Sequence, residues 1–515
     1  MFDQSLPGPG SLADLDDAAL IDALTGWAAA ESAAAARRLA VMAEFTTRRL
    51  QDAAFADWAV DDYQAAAIDV GAALNVSHWV AADQMELAMV LRTRLPKVAA
   101  RYAAGQVSSR TVTTIKKRTD LVRDPEALAA LDTALTENLD AYGPLSQRKL
   151  EAAIDVWVTA VDPDAVRRTR HSARDRQIGF GDPNDGDGIT AIWGRLLATD
   201  AKLLDARLTA MATAVCDADP RTVAQRRADA LGALAAGSDH LACACNAPAC
   251  PAAAPDRRAS SVVVYVLAEA ETTAAQPDPY CHGEGRLPDE PPVLSRSDRI
   301  VIGRKAEAPP RPASEPEPRP KPLRPAVIAG GPIVPAPLLA ELIKSGARVR
   351  HLTPPSPDPT PRYRPSAALD AWVRMRDLTC RAPGCDKPAV SADIDHTVPW
   401  PAGPTHPSNI KGYCRTHHLA KTFVPGFCDR QKPDGTIEFI TPTGHAYRTH
   451  PFSRVLFPTW NTATAELPDP PPQPPPDPAR GLKMPKRKRT RAKEREYRVN
   501  AERALNRAES PAPPF

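Results

Sequence analysis

The chain has 515 residues, of which 43% are hydrophobic and 25% are charged, so it is long enough to bury a core in each of two or three domains. Its net charge of +3 excludes a chain that binds polyanions over its whole surface, and the lack of a long apolar run excludes a membrane span. The first ten residues carry no secretory signal, and the nine cysteines do not form the pattern of a secreted disulfide framework. We therefore expect a cytoplasmic protein with no membrane partner.

Residues 16–161 are rich in alanine and carry apolar positions at helical spacing. This pattern predicts a mainly α-helical N-terminal domain whose small side chains let the helices pack closely. Nothing in this region looks like a catalytic cluster. The predicted helices span Asp16–Leu50, Asp61–Leu74, Ser77–Tyr102, Ser108–Thr119, Pro125–Tyr142 and Ser146–Val161.

Short strands and two further helices follow. Arg176–Phe180 and Gly188–Trp193 are apolar segments separated by a turn rich in Gly, Asn and Asp, which predicts a hairpin. Ala201–Cys216 and Asp219–Leu231 predict helices, and the second is amphipathic with charges on its solvent side. Ser260–Ala268 predicts a buried strand that pairs with the hairpin to form a small antiparallel sheet.

Three cysteines, Cys243, Cys245 and Cys250, lie close together after these helices. They could supply three of the four ligands of a second structural zinc. The candidates for the fourth ligand are His240, Cys281 and His282. Three reduced thiols in a loop are the alternative, and we favour this alternative.

The 56 prolines occur in clusters, and these clusters indicate linkers. Lys305–Pro325 predicts an extended disordered linker, which is followed by a strand or turn and a short helix over Pro337–Ser345. A second Pro-rich break at Pro354–Pro365 precedes an amphipathic helix over Ser366–Asp377. This helix leads into the C-terminal domain.

Two ligand pairs enclose the segment from Cys380 to His417. Cys380 and Cys385 have four residues and a Pro-Gly turn between them, and Cys414 and His417 have two residues between them. Two close pairs of sulfur and nitrogen ligands are typical of a closed structural zinc site. A disulfide or buried apolar cysteines are the alternatives, and the lack of a secretory signal disfavours the disulfide. We therefore predict a structural zinc held by Cys380, Cys385, Cys414 and His417.

The segment between the pairs carries a second set of polar residues. A short strand ends at Asp395 and His396, a loop rich in Gly and Pro follows, and a second segment starts at Asn409. Arg415–Thr422 has no helix breaker and predicts a short helix that carries His418. Because neighbouring side chains of a regular strand point to opposite faces, Asp395 and His396 could serve one site only if the backbone turns there. We expect strand, loop, strand and helix to bring the four residues to one metal.

This segment resembles an HNH nuclease domain, a ββα-metal unit wrapped in a zinc clamp, and His396, Asn409 and His418 match the motif letters. The resemblance implies that Asp395 and His418 bind a divalent metal and that His396 takes a proton from the attacking water. It also implies that Asn409 orients the His396 imidazole. One departure is that His417 stands where many zinc-clamped members have a cysteine, which leaves room for His417 and His418 to exchange roles.

Phosphodiester cleavage independently needs these residue types. Histidine titrates near neutral pH and can act as a base, and an asparagine that fixes a ring is a supporting device. A carboxylate with an imidazole suits Mg²⁺ or Mn²⁺, with Ni²⁺ or Zn²⁺ as alternatives, and such a metal acts as a Lewis acid. The expected function is a metal-dependent HNH endonuclease that hydrolyses DNA. The alternative is a non-catalytic DNA-binding or mobile-element-associated scaffold protein with a structural zinc module.

A basic run lies near the C-terminus. Lys483–Arg498 contains nine basic and two acidic residues and follows a Pro-rich spacer at Glu466–Pro478. Such runs are usually disordered, but beside a nuclease domain this one would neutralise phosphates without sequence preference. We predict DNA contacts from Lys486, Arg487, Lys488, Arg489 and Arg491.

Most of the chain resembles the 13E12-repeat family. The resemblance rests on the string DPRT…QRRADAL at residues 219–231, the Cys-rich segment and the C-terminal HNH motif, and it covers roughly residues 18–451. It implies an N-terminal helical domain of unknown function paired with an HNH endonuclease domain. With the element pattern, it predicts a multidomain α+β fold. The expected parts are residues 1–300, mainly helical with a small β-sheet; 301–365, a Pro-rich linker with a short ordered segment; 366–465, the HNH domain; and 466–515, a spacer and a basic disordered tail.

Overall fold

The fold is mainly helical with small antiparallel sheets, which is the α+β class expected from the sequence. The computed structural model describes residues 6–51, 54–143, 145–165, 176–181, 188–245, 247–253, 265–276, 323–329, 331–344, 347–467 and 483–509. The chain divides into two compact units, of which the first combines residues 1–170 with 354–515 and the second spans 171–353. Within the described ranges, every helix is too short or too polar to span a lipid bilayer.

The N-terminal part of the first unit is a set of packed α-helices whose starts are fixed by capping residues. Asp16, Asp61, Ser77, Ser108 and Asp124 each accept a hydrogen bond from a backbone N–H in the first turn of the following helix. The helices are α1 (Asp17–Leu50), α2 (Asp62–Leu74), α3 (His78–Thr93), α4 (Pro96–Ala103), α5 (Ser109–Thr119), α6 (Pro125–Glu137), α7 (Leu139–Tyr142) and α8 (Gln147–Val161), with 3₁₀ turns at Pro9–Asp14 and Pro163–Ala165.

Two of the predicted helices are each divided in two. The segment predicted as Ser77–Tyr102 is split into α3 and α4, because Pro96 lacks the backbone N–H that would continue α3. The segment predicted as Pro125–Tyr142 is interrupted at Asn138, between α6 and α7. The other predicted helices of this region lie within a residue or so of their expected bounds.

Small side chains fill the contacts between these helices. Ala66, Ala67 and Ala81 are buried where α2 and α3 meet, which is the close approach that alanine-rich faces predict. Leu131 of α6 and Ile154 of α8 are fully buried in the same cluster. Burial of a leucine or isoleucine side chain contributes about 1.5–3 kcal/mol, so this cluster stabilises the helical part.

The second unit contains two small antiparallel sheets and two longer helices among its described residues. The predicted hairpin is present, with Phe180 opposite Ile192, and the two helices pack around Met211 and Ala230. The elements are β1 (Gln177–Phe180), β2 (Ile192–Arg195), α9 (Ala198–Thr213), α10 (Val223–Ala235), β3 (Val266–Leu267), α11 (Ala270–Thr273), β4 (Ala326–Ile328), β5 (Ile333–Val334) and α12 (Ala336–Lys344).

Residues 260–264 of the predicted strand Ser260–Ala268 lie outside the described residues, and the described part, β3, does not pair with the hairpin as predicted. β3 pairs with β4, β4 pairs with β5, and β1 and β2 form a separate sheet. The reason is burial, because β3 and β4 share a hydrophobic cluster that includes Ala326, Val334 and Leu339. Residues 305–322 of the predicted linker, together with Cys281 and His282, lie outside the described residues.

The C-terminal part of the first unit contains the predicted order of strand, strand and helix. Asp395 lies opposite Lys411 in the first strand pair, and His396 lies opposite Ile410. A three-stranded antiparallel sheet follows. The elements are α13 (Ala367–Asp377), β6 (Asp393–His396), β7 (Ile410–Tyr413), α14 (Arg415–Phe423), β8 (Cys428–Gln431), β9 (Ile437–Ile440), β10 (Ala446–Thr449) and α15 (Phe452–Leu456).

The C-terminal part packs directly against the N-terminal helices. One hydrophobic cluster contains Val60, Ala65 and Ile68 from the start of the chain together with Tyr413 and Phe439. The sequence-based boundaries placed residues 1–300 and 366–465 in separate domains. The observed grouping differs because this shared core joins segments that are far apart in the sequence.

The basic segment predicted as a disordered tail is folded over residues 483–509. It begins with a bridge between Trp58 and Lys486 and continues as α16 (Arg491–Glu509). Arg487 and Arg491 both pair with the buried carboxylate of Asp61. Farther along the helix the same pattern continues, with ion pairs Arg495–Asp120, Arg503–Asp162 and Arg507–Asp164. The prediction of disorder was wrong here because acidic partners from the distant N-terminal helices neutralise the run.

Candidate functional site

The two ligand pairs predicted from the sequence meet in one buried cluster, which we call the clamp. The ligand atoms of Cys380, Cys385, Cys414 and His417 all lie within 4.8 Å of one another. His417 Nδ1 is 3.1 Å from Cys414 Sγ and 3.4 Å from Cys380 Sγ. Four converging ligands, three sulfur and one nitrogen, could hold a metal ion, and their chemistry suits zinc.

Local backbone structure brings the clamp together. Gly384 has φ +65°, and a Cβ there would lie 2.8 Å from the backbone nitrogen of Val76, so the turn after Cys380 requires glycine. Cys414 caps the start of α14 and His417 follows three residues later, so both side chains lie on one face of the helix. Burial and the neighbouring thiols raise the pKa of Cys380 well above its ordinary value, and a bound cation would stabilise its thiolate.

A second group of candidate ligands lies along one face of β6. Asp393 and Asp395 are two residues apart on a strand and therefore share a face, which His418 of α14 approaches. His418 Nδ1 is 2.8 Å from Asp393 Oδ2, and His418 Nε2 is 3.5 Å from Asp395 Oδ1. The ionised Asp393 can only accept, so Nδ1 carries a proton and donates to Asp393, while Nε2 faces Asp395.

This geometry separates the roles of the adjacent histidines. His417 Nδ1 points into the clamp, whereas His418 contacts the two aspartates, so the exchange of roles that the sequence allowed does not occur. Asp393 was missed by sequence reasoning, although its spacing of two from Asp395 placed it on the same face. Burial opposes ionisation of Asp393, but the hydrogen bonds and charges of His418 and Arg415 together outweigh burial and lower the pKa of Asp393.

Two lysines hold the other oxygen of Asp395. Lys411 Nζ is 3.0 Å and Lys421 Nζ is 2.7 Å from Asp395 Oδ2, and both ammonium groups also pair with the buried Asp429. Burial opposes ionisation of Asp395, but the positive charges of Lys411 and Lys421 outweigh burial and lower the pKa of Asp395 to about 2. The carboxylate is therefore ionised at neutral pH. Sequence reasoning missed both lysines. The available signal was a lysine inside the otherwise apolar second strand and another three residues after His418.

His396, the residue after Asp395 on β6, has a separate set of side-chain contacts beside the loop that follows the strand. His396 Nε2 is 2.9 Å from Thr405 Oγ1, and the ring stacks on Tyr363 at 5.4 Å between centroids. The Thr405 hydroxyl donates its only proton to the Tyr363 carbonyl at 3.1 Å, so it must accept from His396 Nε2. Burial lowers the pKa of His396 to about 4, so the ring is neutral at pH 7. Within the described residues, His396 Nδ1 has no hydrogen-bond partner, and it carries the lone pair.

The expected contact between Asn409 and the His396 ring is absent from the described structure. Asn409 Oδ1 accepts from the backbone N–H of Val398 at 2.8 Å, and Asn409 Nδ2 donates to the carbonyls of Val398 and Pro404. The asparagine therefore ties together the two ends of the loop between β6 and β7. This loop carries Thr405, so Asn409 orients His396 only indirectly.

The five basic residues predicted to contact DNA do not lie in the group around Asp395. Lys486, Arg487 and Arg491 are paired with Asp57 or Asp61, and Arg489 pairs with Glu494 while lying 4.3 Å above the Tyr497 ring. Lys488 is exposed and has no ion-pair partner among the described residues. Most of these charges are therefore engaged within the chain.

A second cysteine cluster lies in the second unit. The predicted trio of Cys243, Cys245 and Cys250 is joined by Cys216, and the four sulfur atoms lie within 4.8 Å of one another. His240, one candidate for the fourth ligand, instead pairs with Asp239, its neighbour in the sequence. Cys216 was missed because it lies 27 residues before Cys243, at the end of what was predicted only as a helix.

Comparison with known proteins places the chain among mycobacterial relatives. "Uncharacterized protein Rv2100" of Mycobacterium tuberculosis is 52% identical over 512 residues, which is 99% of this chain and 91% of the relative. "Uncharacterized protein Rv3776" of the same organism is 52% identical over 518 residues, covering 100% of this chain and 95% of the relative. No solved structure matches significantly. The profile of a family described as "Domain of unknown function (DUF222)" matches residues 27–324, more than half of the chain. The chain therefore belongs to the DUF222 family.

Proposed function

We propose that the protein is a metal-dependent endonuclease of the HNH type that hydrolyses DNA phosphodiester bonds. The observation that carries the proposal is the convergence of His418 Nε2 on Asp395 Oδ1, one residue before a neutral His396. A purely structural zinc module would need the clamp but not this second set of residues. The resemblance to HNH domains of the 13E12-repeat family supports the same assignment.

The donor set around His418 fits a divalent cation. Asp395 Oδ1 and His418 Nε2 would hold the ion. Asp393 fixes the orientation of the His418 ring, so that Nε2 is the nitrogen that would bind the metal. Lys411 and Lys421 occupy Asp395 Oδ2 and keep the carboxylate ionised, which leaves Oδ1 for the ion. A bound Mg²⁺ or Mn²⁺ would supply Lewis acidity at the scissile phosphate.

His396 would act as the general base. Its Nε2 proton is held by Thr405, so Nδ1 is the nitrogen that can accept a proton from an attacking water. Because burial lowers its pKa to about 4, nearly all of the protein carries the neutral ring at pH 7. Asn409 holds the loop that carries Thr405 and thereby supports the ring position.

The proposal is tested by incubating supercoiled plasmid with the purified chain in Mg²⁺, in Mn²⁺ and in EDTA. We expect nicked or linear product with either metal and none with EDTA. Plasmid that stays supercoiled in both metals, at protein concentrations that retard it on a gel, would contradict the proposal.

One observation favours the alternative of a non-catalytic DNA-binding scaffold. Asp395 and Asp429 face Lys411 and Lys421, so these charges balance without a divalent cation. In a scaffold protein, these two aspartates and two lysines would serve only to stabilise the fold. Retardation of the plasmid without cleavage in the same assay is the outcome that this alternative predicts.

Thr405→Val should lower kcat about tenfold with little change in KM. Valine has nearly the same shape but cannot accept the His396 Nε2 proton, and one lost hydrogen bond of about 1.4 kcal/mol corresponds to that factor. The measurement is single-turnover and steady-state cleavage of a labelled duplex. Thr405→Ser keeps the hydroxyl and should restore the rate, whereas equal rates for all three proteins would remove Thr405 from the mechanism.

The basic C-terminal segment offers a matched pair of variants. Lys488→Ala should reduce the slope of the logarithm of DNA affinity against the logarithm of salt concentration by about 1, since an exposed lysine that contacts one phosphate releases one counterion. Arg491→Ala should instead lower the free energy of unfolding by about 1–2 kcal/mol, because it pairs with the buried Asp61. An unchanged salt slope for Lys488→Ala would argue against DNA contact at this position.

A further inference from the structure

The second cysteine cluster has the geometry of a tetrathiolate metal site. Cys216 follows α9, whereas Cys243, Cys245 and Cys250 lie on the loop after α10, and all four are only partly exposed. Cys216 Sγ and Cys243 Sγ are 3.4 Å apart. A tetrahedral zinc with bonds of about 2.3 Å holds its sulfur ligands about 3.8 Å apart, so these four atoms need only small shifts to share one ion.

A buried ion pair holds the two cysteine-bearing segments together. Arg221 donates to Asp219 Oδ2 at 2.6 Å and to the carbonyl of Ala242 at 2.7 Å, while Asp219 Oδ2 accepts from the backbone N–H of Ala244 at 2.9 Å. Asp219 and Arg221 are almost fully buried. The backbone on both sides of Cys243 is therefore fixed against the segment that follows Cys216.

This contact explains the DPRT…QRRADAL string that the nuclease proposal leaves unused. Its first residues form the buried pair, and Asp229 near its end accepts from Arg221 at 2.7 Å. Thr222 and Gln225 form a reciprocal capping box at the start of α10. The string therefore builds a rigid support beside four cysteines, which is more than an exposed amphipathic helix requires.

The backbone also supplies donors of the kind that stabilise metal-bound thiolates. The N–H of Ala247 points at Cys245 Sγ at 3.5 Å, and Cys250 is tied back by its N–H to the carbonyl of Ala247. These two hydrogen bonds link Ala247 to both cysteines. Hydrogen bonds of this type support the negative charge that a thiolate ligand carries.

We propose that Cys216, Cys243, Cys245 and Cys250 bind a structural Zn²⁺ in the second unit, separate from the clamp. Four sulfur ligands in tetrahedral array select zinc or an iron centre over the hard cations that carboxylate sites prefer. Four protein ligands leave no open position, so the ion would stabilise the loop and take no part in catalysis. The proposal does not depend on nuclease activity.

The test is the zinc content of the purified full-length chain, measured by atomic emission. We expect two zinc ions per chain in the wild type, one in Cys243→Ser, and two in Cys428→Ser, which removes an exposed cysteine outside both clusters. Equal zinc content in the wild type and Cys243→Ser would overturn the proposal. Iron in place of zinc at this site would overturn the choice of ion.

A second measurement needs no variant and therefore does not depend on whether Cys243→Ser folds. The wild-type chain is loaded with Co²⁺, and the sulfur-to-cobalt charge-transfer absorption is recorded. The clamp has three thiolates and the second cluster has four, so we expect a charge-transfer absorption that corresponds to seven cobalt–sulfur bonds on two tetrahedral Co²⁺ ions. The intensity of three bonds on one ion, or a thiol titration in denaturant that finds these cysteines oxidised, would contradict the proposal.

Discussion

His396→Ala is expected to slow DNA cleavage by about 10²–10⁴-fold, which is the usual contribution of a general base. The structure gives the reason, because the ring is neutral at pH 7 and its Nε2 is occupied by Thr405, leaving Nδ1 to accept the proton. Alanine removes the imidazole that contacts Thr405 and Tyr363. The measurement is the single-turnover rate on a labelled duplex at saturating metal.

The matched control for this variant is His445→Ala. His445 is exposed on the turn before β10, and its Nδ1 contacts Thr443 Oγ1, so its removal should leave the rate unchanged. The zinc content and far-ultraviolet circular dichroism of both variants should equal those of the wild type. Unimpaired cleavage by His396→Ala would mean that this histidine is structural, and loss of folding in it would point the same way.

Cys380→Ser is expected to release the clamp ion and unfold the surrounding C-terminal part. Structural zinc sites contribute on the order of 10 kcal/mol to folding, so losing one thiolate should cost about 5 kcal/mol or more. Cys380 also lies in the hydrophobic cluster that joins the C-terminal part to α2, and the loss should therefore extend into that contact. Thermal unfolding and limited proteolysis measure the effect.

Cys428→Ser serves as the control for the clamp variant. This cysteine lies on β8, is exposed, and belongs to neither cluster, so its replacement should leave the melting temperature and the zinc content unchanged. A melting curve of Cys380→Ser that superimposes on the wild-type curve would show that the clamp cysteines are merely buried thiols. Rescue of the variant by excess Zn²⁺ would support the clamp.

The parts of the site that could be predicted from sequence are those fixed by local spacing. Cys414 and His417 lie three positions apart at the start of one helix, and a short Pro-Gly turn links Cys380 to Cys385. Each ligand pair could therefore be recognised from its spacing in the sequence. The helix carrying His418 was visible because no breaker interrupts it. Local rules of this kind do not require knowledge of the fold.

The parts that could not be predicted depend on contacts between distant segments. Lys411 reaches Asp395 through the register of two strands, and Lys421 reaches it from the helix, so their positions in the sequence marked them as unusual but did not identify Asp395 as their partner. Cys216 joins its cluster across a whole helix. The basic segment folds because acidic residues more than 300 positions earlier, among them Asp61 and Asp120, pair with its arginines. Composition alone predicted a free tail because it contains no information about such partners.

The most direct test of the account compares the wild type with His418→Ala for both Mn²⁺ binding and plasmid cleavage. Mn²⁺ binding is followed by electron paramagnetic resonance, and zinc content is recorded on the same samples. The account predicts that His418→Ala loses Mn²⁺ binding and cleavage together, because His418 Nε2 faces Asp395. The variant should keep its zinc, because His417 and not His418 belongs to the clamp. Cleavage by His418→Ala at the wild-type rate would contradict the assignment of this site.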